Sequence, residues 1–452
     1  MQQIRQRHRV VLLPLPLQGH INPMLQLANI LHSHGFSITI ILHTSFPSPN
    51  PSNYPHFTFL SFPDGLSQSE ASTTDLLSLI LLLNLRCINP FRDCLVRLIS
   101  DAEEEDPVAC LISDAILHFA GPIADCLKLS RLVLRTGGVS SYVAFAAFPT
   151  LFEKGYFPVQ DSRLEEPIPE LPPLRVKDLP VIKTSNFDSY YQFLTDMVRQ
   201  NKASSGLIFN SFEELEQPAL ATLCQDFHIP IFPIGPFHRY FPASSSSLLT
   251  HDETSIPWLK TQAPKSVLYV SIGSIAAMDE KEFLEAAWGL ANSKQPFLWV
   301  VRPGSVRGRE WLESLPNGFI EMLGGRGHIV NWAPQQDVLA HPAVGAFWTH
   351  NGWNSTLESI CEGVPMICMP RFTDQLVNAR YVSHVWRVGV QLENGLERGD
   401  IERAIRGLMV EKEGKEIRER MLHLKEKVNL CVMQGGSSHE SLQRLISHIS
   451  SF

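Results

Sequence analysis

The fold is decided by residues 10–42, VVLLPLPLQGHINPMLQLANILHSHGFSITIIL. Residues 10–13 are a continuous apolar run, the pattern of a strand buried on both faces. QGHINP (18–23) reads as a turn, and residues 21–34 carry Met24, Leu25, Leu27, Ala28 and Leu31 at helical spacing. Gly35 stops that helix, and FSITIIL (36–42) is a second buried strand. Strand, helix and strand within so short a span form a βαβ unit. Such a unit belongs to a parallel sheet with helices on both faces.

The same signal recurs outward from this stretch. VACLIS (108–113), RLVLRT (131–136) and GLIFNS (206–211) are further apolar runs. EPIPELPPL (166–174) reads as a rigid loop and FPASSSSLLT (241–250) as a flexible polar linker. The pattern then restarts with a strand in SVLYVSIGS (266–274), a helix over 280–292 and a strand in QPFLWVV (295–301). HIVNW, GAFWT and PMICM follow. The chain therefore reads as two α/β halves, 1–240 and 253–435, joined at 241–252, with a last helix over 436–452. The acidic run DAEEED (101–106) reads as a solvated loop.

Composition excludes several classes. The chain has 452 residues, and 38 Lys+Arg against 46 Asp+Glu leaves a net charge of −8. That balance argues against nucleic acid or an anionic membrane as a partner. The eight cysteines show no C-x-x-C pair, which suits reduced thiols in a cytoplasmic protein. The N-terminus resembles a secretory signal, but its apolar run is short and broken by Pro14 and Pro16. No run approaches the roughly 20 apolar residues of a membrane span. There is no GxxxxGK[ST] phosphate loop, no HExxH, no Cys/His cluster and no Asp-x-Asp pair, so no metal is expected. GGRG (324–327) follows a helical pattern and precedes a strand, the reverse of a dinucleotide fingerprint.

The chemistry is concentrated between Trp332 and Gln375, in WAPQQDVLAHPAVGAFWTHNGWNSTLESICEGVPMICMPRFTDQ. GAFWT reads as a strand, HNGWN as a turn, and STLESICEG as a helix closed by Gly363. Ser355 and Glu358 have the spacing of a capping box. The turn also brings His350, Asn354 and Ser355 to the mouth of a helix N-terminus, where free N–H groups favour phosphate. Trp332 and Trp353 offer flat surfaces, and Gln335, Glu358, Asp374 and Gln375 can bind sugar hydroxyls. Together these describe a nucleotide-sugar site.

This stretch closely resembles the signature box of the plant family 1 UDP-dependent glycosyltransferases, the plant secondary product glycosyltransferases. QGHINPMLQLA, LISDA and SVLYVSIGS extend the resemblance along the chain, with Ile272 where the family has Phe. It is similar above all to the clade of cytokinin, terpenoid and flavonoid glucosyltransferases. The resemblance implies the GT-B type, two Rossmann-like doubly wound domains facing across a cleft. Residues 1–240 would bind the acceptor, 253–435 the UDP-sugar, and the 436–452 helix would pack back on the first domain. It implies that Trp332 stacks on uracil, with Gln335 and Glu358 on the ribose. Ser274, His350, Asn354 and Ser355 would hold the diphosphate. Trp353, Asp374 and Gln375 would bind the sugar, and Thr136 would reach it from the other domain. The donor implied is UDP-glucose.

His20 follows the first strand and Asp114 another, at the edge where doubly wound folds place ligands. An imidazole can take the acceptor's proton near neutral pH, and a carboxylate on its other nitrogen fixes the tautomer. Each alone also reads as a cap or turn residue; the pair matches the family's base and its orienter. The resulting expectation is an inverting, metal-independent O-glucosyltransferase, monomeric and cytoplasmic, acting on a flavonoid or other phenolic. Cytokinin N-glucosylation, terpenoid glucosylation, an epimerase or phosphorylase, and an inactive nucleotide-sugar or hormone-binding module are the alternatives. Segments 83–91, 117–119, 142–148 and 187–194 would wall the acceptor pocket, though each reads equally as core.

Overall fold

The computed structural model describes residues 8–102, 106–182, 184, 186–241, 252–307, 315, 317–393 and 395–452. The linker expected at 241–252 lies, except for its two end residues, outside them, as does the middle of the acidic run at 101–106. The chain divides into two compact units. The first comprises residues 1–160, 182–248 and 431–452, and the second 161–181 and 249–430. This differs from the sequence reading in one substantial respect: the Pro-rich segment 161–181 groups with the second unit. Its anchors there are Arg175 and Lys177, which both pair with Glu393. Residues 431–435 also fall in the first unit rather than the second.

The first unit holds seven strands: β1 (Arg9–Leu13), β2 (Ser37–His43), β3 (Phe57–Phe62), β4 (Val108–Asp114), β5 (Ser130–Arg135), β6 (Gly206–Phe209) and β7 (Ile231–Pro233). Their order is β3-β2-β1-β4-β5-β6-β7, and every pairing is parallel. Side chains alternate across the sheet, so each face buries its own core. Val10, Leu12 and Ile40 pack with the helix Gln18–Ser33 on one face. Val11, Leu13 and Leu111 pack with Leu83, Phe91 and Leu95 on the other. Leu442, Leu445 and Ile449 of the C-terminal helix Ser437–Ile449 complete the first of these cores.

The second unit holds six: β8 (Val267–Ser271), β9 (Phe297–Val300), β10 (Gly327–Val330), β11 (Val344–Thr349), β12 (Met366–Cys368) and β13 (Gly389–Gln391). They too are parallel throughout, in the order β10-β9-β8-β11-β12-β13. In each unit the strand order reverses once beside the first strand, between β1 and β4 and between β8 and β11. The carboxyl ends of strands at such a switch point are where doubly wound sheets bind ligands. No described helix is long and apolar enough to cross a membrane.

Candidate active site

At the first switch point, β1 leads into the helix that carries His20 in its first turn. Asp114 is the last residue of the neighbouring β4, and Thr136 directly follows β5. The parallel register sets Leu13 beside Ser113 and Asp114 beside Leu134, so three adjacent strand ends deliver the three side chains. His20 Nδ1 lies 2.7 Å from Asp114 Oδ2 and 3.0 Å from Thr136 Oγ1. The Ile116 N–H donates to the other Asp114 oxygen at 3.0 Å. Asp114 is 1% exposed and His20 19%, so the carboxylate is inside and the ring reaches the surface. A carboxylate on Nδ1 holds the proton there and leaves Nε2 as the acceptor. Nε2 has no partner among the described residues.

At the second switch point, His350 follows β11 and Gly273 and Ser274 follow β8, whose ends are paired through Ser271 and Thr349. A Cβ on Gly273, which has φ +77°, would stand 2.5 Å from His350 Cε1. One on Gly352 would stand 2.5 Å from Nε2, so the ring is seated against two glycines. Burial first, and then the charge of Arg302, push the His350 pKa from the ordinary 6.5 down to about 4. The imidazole is therefore neutral at pH 7. Arg302 is itself buried and holds the β8 loop by donating from Nε to the Gly273 carbonyl at 2.9 Å. Nothing in the local sequence singled out Arg302; its position becomes visible only once β8 and β9 are paired.

The helix Trp353–Glu362 starts two residues before the sequence suggested, with Gly352 as its N-cap. This corrects the capping box. Ser355 and Glu358 lie inside the helix, and no side chain caps its N-terminus. Their polar groups turn instead to the helix Gln335–Ala340: Gln335 Nε2 donates to Ser355 Oγ at 2.9 Å and to Glu358 Oε2 at 2.7 Å. Gln336 Nε2 donates to the other Glu358 oxygen at 2.9 Å. Burial raises the Glu358 pKa, and the two amides oppose that rise. Gln336 went unnoticed in the sequence because it neighbours Gln335 and has the same side chain. The closure of the helix by Gly363 is as read, with φ +72°.

Asp374 and Gln375 begin the helix Asp374–Arg380. Gln375 Oε1 accepts from the Arg371 N–H at 2.9 Å, and its amide nitrogen has no partner among the described residues. Asn378 Nδ2 donates to the Asn351 carbonyl at 2.9 Å, tying this helix to the His350 turn. Thr373, between them, has φ +54°, a costly conformation for a β-branched residue and one that clusters at functional sites. Asn354 lies in the first turn of the Trp353 helix. Trp353 is buried with its ring 6.4 Å from that of Trp386. Trp332 follows β10 and packs on the core around Leu259 and Val338. Among the described residues no three His, Cys, Asp or Glu side chains gather as a metal site.

Residues 250–426 match the family described as UDP-glucoronosyl and UDP-glucosyl transferase. UDP-glycosyltransferase 76B1 of Arabidopsis thaliana is 54% identical over 443 residues, covering 98% of each chain. The chain belongs to the plant family 1 UDP-glycosyltransferases. A flavonol 3-O-glucosyltransferase of Arabidopsis thaliana, UGT76E12, is 43% identical over 449 residues, 98% of this chain and 97% of that one. Among solved structures, Phytolacca americana UGT2 complexed with UDP-2fluoro-glucose and pterostilbene superposes with a TM-score of 0.82. It is 28% identical and covers 98% of this chain and 99% of its own. This glycosyltransferase thus has the two-unit α/β architecture of its family, and transfers sugar from a UDP-sugar to a small plant metabolite.

Proposed function

We propose that this glycosyltransferase is an inverting O-glucosyltransferase that uses UDP-glucose and acts on a small hydrophobic hydroxyl compound, a flavonoid or other phenolic. In this reading it works as a cytoplasmic monomer without a metal; the first unit takes the acceptor and the second the donor. The observation that carries the reading is the carboxylate of Asp114 on His20 Nδ1 at 2.7 Å, which leaves Nε2 as a base. Oxygen nucleophiles need such a base during attack; an aromatic nitrogen with a free lone pair does not. The names of the similar proteins support a phenolic acceptor: one is a flavonol glucosyltransferase, and another was solved with pterostilbene.

The reaction follows from these parts. His20 Nε2 takes the hydroxyl proton while the acceptor oxygen attacks the anomeric carbon, and Asp114 stabilises the imidazolium. UDP leaves from the opposite face, so the α-linked donor yields a β-glucoside. Negative charge grows on the departing diphosphate. The uncapped N-terminus of the Trp353 helix, Ser274, and the neutral imidazole of His350 as an N–H donor would meet it. Trp332 would stack on uracil, and Gln335 with Glu358 would hold the ribose. Trp353, Asp374 and Gln375 would read the sugar.

The test is incubation with UDP-glucose and a panel containing a flavonol and a cytokinin, with products identified by mass spectrometry and anomeric coupling constants. A β-glucoside on a flavonol hydroxyl is the expected product, lost about 10²- to 10⁴-fold in His20→Ala. Glucosylation confined to the cytokinin nitrogen, or undiminished turnover in His20→Ala, would overturn the reading.

A further inference from the structure

The helix Asp374–Arg380 is seven residues long, too short to keep its place by its own backbone bonds. Both of its ends are tied to the Pro-rich segment 161–181 of the same unit. At the N-terminal end the Thr373 N–H donates to the Val181 carbonyl at 3.2 Å. At the C-terminal end Arg380 Nε donates to the Pro173 carbonyl at 3.1 Å and lies 3.5 Å from Asp178 Oδ2. Asp178 is 2% exposed, and Arg175 holds the same oxygen through its backbone N–H at 2.9 Å and its Nε at 3.0 Å. The segment is also folded on itself, with the Ile168 N–H on the Leu174 carbonyl and the Val176 N–H on the Glu166 carbonyl. Arg175 and Lys177 anchor its outer side on Glu393, at 3.2 and 2.6 Å.

The first of these ties falls on a strained residue. Thr373 has φ +54° and ψ −136°, a region ordinarily left to glycine, and a β-branched residue stays there only where its surroundings over-determine it. The Val181 carbonyl fixes the Thr373 N–H, and the Thr373 hydroxyl donates to Asp374 Oδ1 at 3.0 Å. Asn378 Nδ2 donates to the other Asp374 oxygen at 3.2 Å. On the far side of the bend the N–H groups of Arg371 and Phe372 donate to Gln375 Oε1, at 2.9 and 3.4 Å. The guanidinium of Arg371 is in turn fixed on Glu282. The two side chains expected to read the sugar thus leave from a bend whose shape is imposed from outside, in part by the segment 161–181.

We propose that Arg380 and Asp178 are positioning residues for the donor sugar. They clasp the segment 161–181 to the helix Asp374–Arg380, keep Val181 against Thr373, and so aim Asp374 and Gln375 at the hydroxyls of the transferred hexose. Both act through those two side chains rather than by touching the donor. This rests on the reading of Asp374 and Gln375 as sugar-binding residues and extends it to what holds them.

The test is a double-mutant cycle between Arg380→Gln and Gln375→Glu, read as kcat/KM for UDP-glucose and UDP-galactose with a flavonol acceptor, beside calorimetric titration with UDP. Arg380→Gln should lower kcat/KM for UDP-glucose about 10-fold, mostly through KM, the size of one misplaced hydrogen bond. The preference for UDP-glucose over UDP-galactose should narrow by a similar factor. UDP carries no hexose, so its affinity should stay close to wild type. In the Gln375→Glu background the same substitution should cost only about 2- to 3-fold more, because the group it aims is already lost. Arg380→Lys, which keeps a charge for Asp178, should recover part of the preference. Glu393→Gln removes a surface carboxylate that anchors the same segment and should shift the preference in the same direction with the melting temperature little changed, so the comparison survives if Arg380→Gln does not fold. Unchanged donor preference in Arg380→Gln and Glu393→Gln, losses that multiply in full in the double variant, or UDP affinity that falls as far as that of UDP-glucose would overturn the proposal. A Gln375→Glu enzyme with wild-type donor preference would overturn the sugar reading itself; a Gln375 effect beside an inert Arg380 overturns the clasp alone.

Discussion

The Thr136 hydroxyl stands 3.0 Å from His20 Nδ1, the nitrogen that Asp114 holds at 2.7 Å. Its link within the first unit is thus to the base, whereas family resemblance assigned it to the donor sugar. Thr136→Val keeps the shape and removes the hydroxyl. Loss of one hydrogen bond to the base should lower kcat by about 3- to 10-fold, in line with a bond of roughly 1 kcal/mol. The KM for UDP-glucose should stay unchanged. Steady-state kinetics separates the roles, because a rise in that KM at constant kcat would return Thr136 to the sugar.

Glu358 is half-buried and held by two glutamine amides, one from Gln335 at 2.7 Å and one from Gln336 at 2.9 Å. Removing Gln336 frees one carboxylate oxygen in a site where burial already disfavours the charge. Gln336→Ala should weaken UDP binding several-fold, and Glu358→Gln should weaken it about 10- to 100-fold, since the amide replaces a charged acceptor. Calorimetric titration with UDP alone measures both without an acceptor. Full UDP affinity in Glu358→Gln would remove this carboxylate from the nucleotide site.

What the sequence made legible, and what it hid, divides along physical lines. β1, β2, β4, β5 and β8 are buried almost throughout, so their apolar runs announce them. β3 and β13 are edge strands with exposed or half-buried residues along them, so neither shows a continuous apolar run. His20 and Asp114 stand out in the sequence because one lies in the segment after an apolar run and the other closes one. Ser355 and Glu358 have the spacing of a capping box but are not one, because the helix begins upstream at Trp353. Arg302 carries no local signal at all. Its role depends on which acceptors the folded chain places around it, and that is a tertiary fact.

Among the described residues three histidines stand out as enclosed: burial pushes His43 and His350 down to about 4 and His238 to about 3. In the unfolded chain each titrates near the ordinary 6.5. Between about pH 6.5 and pH 4 the unfolded state therefore binds more protons, and stability is lost as pH falls through that window. Each such histidine contributes a slope approaching about 1.4 kcal/mol per pH unit. His43 is 2% exposed, its ring nitrogens have no partner among the described residues, and Phe46 and Phe62 flank it. His43→Phe should thus raise the melting temperature at pH 5.5 more than at pH 7.5. Thermal unfolding across that range is the measurement, and an equal change at both pH values would contradict the neutral, buried assignment.

Donor reading hinges on how Gln375 is divided. Its carbonyl oxygen is bound to the Arg371 N–H at 2.9 Å, and its amide nitrogen is left over as a donor. Gln375→Glu preserves an oxygen for the Arg371 loop and replaces the donor by an acceptor. If that nitrogen donates to a glucose hydroxyl, the variant leaves two acceptors or an unpaired group against the sugar, costing about 1–3 kcal/mol. The expected result is a 10- to 100-fold loss in kcat/KM for UDP-glucose with UDP affinity and melting temperature close to wild type. UDP-galactose, with one hydroxyl turned over, should already be a poor donor for wild type, and Gln375→His is the substitution to try for its use. Equal wild-type rates with the two donors, or a Gln375→Glu enzyme as active as its parent, would show that the sugar is read elsewhere.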